Sequence, residues 1–230
     1  MDEDILTKFV VNFEGAVKGF HLVNNKSIDK TSWKVLNSIV LKRSGISILT
    51  DYSSGKTAKY SYTNGKKFFK ISSYRLTTVC TDKNPGNIED IHTEIEKRKT
   101  FKYYSILLRE EKDEVISYDW YLIPSDFYIF EPSTYDWKQQ LGKKKDTIIG
   151  WETNVINGSK MSISFSMYSQ LWIEVELTTE IKQFLVSSHT ARSRSEIDYF
   201  QLNSIYEKVN NIDLDHNIEK QISSEKSFVK

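Results

Sequence analysis

Asn64-Gly65 separates two runs rich in strand-forming residues, Lys56–Thr63 (KTAKYSYT) and Lys66–Thr77 (KKFFKISSYRLT). Asn-Gly between such runs is the strongest short-range hairpin signal, because both residues tolerate the positive φ that a tight type I′ turn needs. The middle of the chain is thereby committed to an antiparallel ribbon, and the rest must build on a sheet. Gly45–Thr50 (GISILT) reads as a strand leading into it. Asp51 and a Ser53-Ser54-Gly55 turn follow.

Helices bracket this ribbon. In residues 3–22, Ile5, Leu6, Phe9, Val10, Phe13, Val17 and Phe20 recur at three- and four-residue steps, which predicts an amphipathic helix. Asp2 suits its cap, and Asn24-Asn25 its end. Ser27 or Asp29 opens a shorter helical segment carrying Trp33, Leu36 and Val40. Asn87 suits the N-cap of a helix over 88–98, with acids in its first turn and Lys97 and Arg98 in its last.

Phe101–Arg109 and Val115–Ile123 read as paired strands. Ser133 is placed to cap a short helix, TYDWKQQL, and Asp146–Thr153 reads as a strand. Asn157-Gly158 is a second hairpin turn. Met161–Leu177 alternates apolar and polar residues strictly, which predicts one long strand bulged near Ser169. A helix through Val186, a Ser/Arg-rich joint and a last helix near 196–209 complete the order. The predicted fold is a single α/β (α+β) domain over 1–209, a mixed and mostly antiparallel sheet flanked by helices. The polar stretch 210–230 is expected to be a loosely ordered tail.

Composition narrows the function classes. Hydrophobic residues make up 39% of the 230, enough for a core, and the net charge of +1 gives no general polyanion signal. The single cysteine, Cys80, rules out a disulfide within the chain and fits a reducing compartment. The four histidines show no metal-binding spacing. The acidic start and the lack of a long apolar run lead to a cytoplasmic expectation with no membrane partner. No Gly-rich phosphate loop, dinucleotide fingerprint or nucleophile elbow is present, so no nucleotide cofactor is expected.

Two stretches could carry chemistry. A carboxylate ahead of a hairpin, with a lysine in the returning strand, suits metal-assisted phosphodiester hydrolysis: the acid holds Mg²⁺ and the lysine orients water. Asp51 and Lys70 take these positions. A turn acid and a solvated lysine account for the same residues equally simply. The second stretch is the even-numbered face of the long strand. Ser162, Ser164, Ser166, Tyr168 and Gln170 offer groups that can meet bases or phosphates, or can line a solvated sheet face. Arg192 and Arg194 in the Ser-rich joint suit phosphate contact.

From Asp51 through FFKISS to YYSILLR and YDWYLIPSDFYIFEPSTYDW, over residues 45–140, the chain resembles the type II restriction endonucleases of the PD-(D/E)xK class. The resemblance implies a restriction-endonuclease-like core, Mg²⁺, double-stranded DNA as substrate and a homodimer. It casts Asp51 as a metal ligand and Lys70 as the catalytic lysine. The family pattern puts an acid two residues before the lysine, where this chain has Phe68. Some members of the class take that acid from a following helix. Glu89 and Glu94 are then the candidates for catalysis and, in the case of Glu89, the metal, with Glu96 and Glu14 behind them. Phe68 equally favours a non-catalytic DNA-binding or protein-interaction domain. A β-rich structural protein that binds no nucleic acid is the third reading.

Overall fold

A computed structural model describes residues 3–24, 26–45, 53–113, 115–144 and 147–192. Two helices come first, α1 (Glu3–Val23) and α2 (Lys30–Arg43). Asp29 caps α2, its carboxylate accepting from the Ser32 amide at 2.7 Å. The hairpin β1 (Ser53–Thr63) and β2 (Lys66–Arg75) follows, then α3 (Ile88–Arg98). Strands β3 (Tyr103–Lys112) and β4 (Val115–Pro124) form the next ribbon. After two short 3-10 turns come β5 (Trp137–Leu141), β6 (Ile148–Thr153), β7 (Ser159–Ser164) and β8 (Gln170–Glu176). A single turn of helix, α4 (Thr179–Lys182), leads to β9 (Leu185–Arg192). No helix among the described residues is long and apolar enough to cross a membrane.

All nine described strands join one sheet in the order β5-β6-β7-β8-β2-β1-β3-β4-β9. Every pairing is antiparallel except β1 with β3. The fold is therefore the mixed, mostly antiparallel α+β class. Strand β1 joins two half-sheets. Its first half, Ser53–Lys59, pairs with β3, and only its last four residues, Tyr60–Thr63, pair with β2. On its other edge β2 pairs with β8 from Phe68 to Arg75, and beyond Phe69 it has no partner in β1. An open seam therefore lies between the start of β1 and the end of β2.

Alternation sends the two faces of the sheet into two cores. One face packs Phe9, Phe13 and Val17 of α1 and Trp33 and Val40 of α2 against Leu107, Tyr118 and Trp120. The other face packs Phe69, Ile71, Ile106, Ile163 and Ile173 against Ile91 and Ile95 of α3. Burying several of these large side chains stabilises each layer by roughly 1.5–3 kcal/mol per residue.

Four sequence expectations are corrected. Ser53-Ser54-Gly55 is the start of β1 and not a turn; parallel pairing with Tyr103, Tyr104 and Ser105 keeps it extended. Met161–Leu177 is two strands, β7 and β8, joined by a 3-10 turn at Phe165–Met167. Tyr168 and Ser169 both take positive φ, 57° and 48°, to reverse the chain. The segment predicted as a short helix, TYDWKQQL, instead yields a 3-10 turn at Pro132–Thr134 and the strand β5, which pairs with β6. Pairing with β6 gives Trp137–Leu141 a backbone ladder in place of helical bonds. The helix expected through Val186 stops at Lys182, and the Ser/Arg-rich joint is largely β9, laid on β4. The expected strand at Gly45–Thr50 falls almost wholly, and the last helix and polar tail entirely, outside the described residues.

Candidate functional site

The outward face of β7, β8 and β2, turned away from the α3 core, is polar. Cross-strand partners form rows. Glu152, Ser162, Trp172 and Ser72 make one. Lys160, Glu174 and Lys70 make the next, and Ser164, Gln170 and Arg75 a third. Lys160 pairs with Glu174 at 3.1 Å. Lys70 pairs with no carboxylate among the described residues; its ammonium lies 5.3 Å from the Trp172 ring centroid. Arg75 stands likewise 5.1 Å from the Tyr168 ring, which is 69% exposed at the tip of the positive-φ turn. That turn is held from below: Ser169 Oγ donates to Cys80 O at 2.6 Å, and the Leu76 amide donates to Ser169 O at 3.0 Å.

Of the residues expected from the sequence, Ser162, Ser164 and Gln170 share this face with Lys70, and Tyr168 and Ser166 stand at its tip. Gln170 already spends its amide hydrogens on Tyr74 O at 2.9 Å and Leu171 O at 3.2 Å. Arg192 ends β9, the far edge of the sheet, and is not brought to this face. Asp51 and Arg194 lie outside the described residues.

The candidate acids do not converge on Lys70. Glu89 and Glu94 belong to α3, which packs on the opposite face through Ile91 and Ile95. Glu89 is exposed in the first turn. Glu94 accepts from Arg98 Nε at 2.7 Å and Thr78 Oγ1 at 3.3 Å, and the Arg98 bond holds its carboxyl below the usual range. Glu96 pairs with Lys99 at 3.3 Å, and Glu14 faces His189 on β9. No group of three His, Cys, Asp or Glu side chains among the described residues is placed to hold a metal ion. Asp51, the first acid expected to hold Mg²⁺, lies outside the described residues.

Several lysines on the sheet and at the end of α3 are spent on internal pairs. Lys66 reaches Glu176 at 2.9 Å, and Lys67 reaches Glu110 at 3.2 Å. Lys99 is bound by Glu131 and Glu96. A different group of lysines has no carboxylate partner among the described residues: Lys56, Lys30 and Lys34, at the seam. Lys56 is only 9% exposed, on the same strand parity as Ala58 and Tyr60 of the α3-side core. Burial, then the positive charges of Lys30 and Lys34, lower its ammonium to about 8. The backbone at Gly55 brings β1 against α2, so that a Cβ there would stand 3.7 Å from Lys34 Cα. Lys30 Nζ reaches across the seam to Ser72 Oγ at 3.5 Å. The available signal for this group was a lysine on the apolar parity of a strand, in KTAKY.

Comparison with protein-family models, with curated proteins and with solved structures gives no match to this chain.

Proposed function

We propose that this protein binds DNA along the outward face of β7, β8 and β2. The reading rests on one observation: two cations with no carboxylate partner among the described residues, Lys70 and Arg75, each beside an aromatic ring on one polar sheet face. Nucleic acid presents both complements, phosphates for the cations and base faces for the rings. Hydroxyls of Ser162 and Ser164 line the same face and add hydrogen-bonding capacity. Gel shifts with duplex DNA at 50 and 200 mM salt test it. Lys70→Ala and Arg75→Ala should each weaken binding and flatten the salt slope by about one. Tyr168→Ala should weaken binding by about tenfold with the salt slope kept. Absence of any shift at low salt would end this reading.

A second reading, a Mg²⁺-dependent restriction-type endonuclease acting as a homodimer, draws on one further feature. Asp51 stands five positions before the unpaired Lys56 in the sequence, at the entrance to β1. The described carboxylates do not supply the remaining metal ligands, so this reading depends on Asp51 and other groups outside them. Incubation with varied duplex DNA and Mg²⁺ decides it: discrete fragments that vanish with Asp51→Ala support it, and cleavage surviving that change does not. Sedimentation with and without DNA reports the dimer.

A further inference from the structure

We infer that the DNA taken by the outward face of β7, β8 and β2 is single-stranded, its unpaired bases stacking on Tyr168 and Trp172 and its phosphates meeting Arg75 and Lys70. The inference rests on the DNA-face reading and narrows it to one class of strand.

Width is the first ground. The row Glu152, Ser162, Trp172 and Ser72 crosses four adjacent strands, β6, β7, β8 and β2. At about 4.8 Å between neighbours, their backbones alone span about 14 Å. The major groove of duplex DNA is about 12 Å wide and admits a helix or a two-stranded ribbon. A floor of four strands stays outside the groove and meets only the duplex backbone. One side of this floor is bounded. α2 packs on the same face of the sheet, where Trp33 Nε1 donates to Ser105 O at 3.1 Å, and Lys30 at its start reaches Ser72 Oγ at 3.5 Å.

The rings are the second ground. Tyr168 is 69% exposed, on a turn fixed by the bond from Ser169 Oγ to Cys80 O at 2.6 Å. Trp172 is half-buried in the floor. Each ring has a cation beside it, Arg75 at 5.1 Å and Lys70 at 5.3 Å, whereas the neighbouring Lys160 is taken by Glu174 at 3.1 Å. A nucleotide joins one flat base to one negative phosphate, and a ring next to a cation complements both. In a duplex the base faces are stacked on one another, and the grooves offer only base edges. A duplex presents faces to these rings only where its pairs open, and opening costs free energy that a strand already unpaired avoids. Edge reading has little to work with here. Gln170 has its amide hydrogens on Tyr74 O and Leu171 O, so it offers no amide donor to a base. Stacking tolerates every base, and the face is expected to take single strands with little sequence preference.

Fluorescence polarisation compares three probes: an oligothymidine of about twelve nucleotides, a duplex of the same length, and an abasic strand with the same backbone. The oligothymidine should bind about tenfold more tightly than the duplex, or better. The abasic strand keeps the phosphates and lacks the stacking partners, and should bind about tenfold more weakly than the oligothymidine. Tyr168→Ser and Trp172→Leu should each weaken oligothymidine binding about tenfold, with circular dichroism checking the fold of both. Tyr168 stands at an exposed tip, so Tyr168→Ser keeps the test decisive if Trp172→Leu does not fold. Three results overturn the inference and leave the DNA face standing: a duplex bound as tightly as the oligothymidine, an abasic strand bound as tightly, or an oligothymidine affinity that Tyr168→Ser leaves unchanged. Failure of all three probes to bind, even at low salt, removes the DNA face itself. The two failures are thereby told apart.

Discussion

Two buried polar groups flank β1, and they are built on opposite plans. On the helix side, Ser105, fully buried, donates to Asn37 Oδ1 at 2.6 Å and accepts from Trp120 Nε1 at 2.8 Å. Asn37 in turn donates to Ser53 Oγ at 3.0 Å, and Trp33 Nε1 donates to Ser105 O at 3.1 Å. Each of these bonds ends on another protein group, so the network closes on itself. In the seam the Tyr74 hydroxyl has no hydrogen-bond partner among the described residues, and the charges that act on Lys56 are the like charges of Lys30 and Lys34. The closed network ties α2, β1, β3 and β4 together and specifies their packing. The open one costs stability, because a buried hydroxyl gives up water without a protein bond in return.

Substitutions can break or sharpen that contrast. The largest loss is expected for Ser105→Ala, which orphans Trp120 Nε1 and Asn37 Oδ1 together; roughly 2–6 kcal/mol should disappear in urea unfolding. A loss below about 1 kcal/mol would mean the network does not hold the layers. Lys56→Met should act in the other direction, stabilising the protein at pH 7 by up to roughly 3 kcal/mol, since one pKa unit corresponds to about 1.4 kcal/mol. Its sign can be followed with pH. Lys56 sits at about 8 in the folded chain and at the ordinary 10.5 when unfolded. Below pH 8 both states are protonated and the penalty is full. Between about 8 and 10.5 the unfolded chain binds more protons, so this lysine's contribution makes stability rise with pH. The gap between wild type and Lys56→Met should therefore narrow over that window, and a constant gap would contradict the assignment.

Smaller effects test the same contrast. The Tyr118 hydroxyl is a closed group: it accepts from the Ile28 amide at 3.0 Å and meets His21 Nε2 at 2.8 Å. Tyr118→Phe should cost roughly 1–3 kcal/mol. Tyr74→Phe removes a hydroxyl with no partner and should be neutral or stabilising by less than about 1 kcal/mol. If the two tyrosines respond alike in denaturant titrations, the distinction between closed and open groups loses its basis.

Local chemistry was well written in the chain. Asn64-Gly65 and Asn157-Gly158 do turn with positive φ, and Asn87 caps α3 by accepting from the Asp90 amide at 2.8 Å. These features depend on neighbours in sequence and are legible for that reason. The β7–β8 hairpin was not, because its partners Ile163 and Leu171 share parity. Alternation runs unbroken through such a turn, so period two cannot separate one long strand from two short ones. β9 was missed because an edge strand of Ser, His and Thr carries little apolar signal, and its place is set by β4.

The site divided in the same way. Ser162, Ser164 and Lys70 could be placed on one face from strand parity. That α3 lies behind the sheet, taking Glu89 and Glu94 away from Lys70, is a matter of tertiary packing. So is the meeting of Lys30 and Lys34 with Lys56, which depends on how α2 crosses Gly55.

The divided allegiance of β1 also bears on the order of assembly. Its last residues close a hairpin over two intervening residues, a step of microseconds. Its first residues must find β3 partners fifty positions away, Ser53 opposite Tyr103, which is entropically slow. The seam is the junction between an early contact and a late one. The half of β1 laid on β3 belongs to an arrangement completed near the end of folding. Substitutions that weaken this late pairing are then expected to speed unfolding far more than they slow folding, moving one limb of a stopped-flow chevron and leaving the other in place.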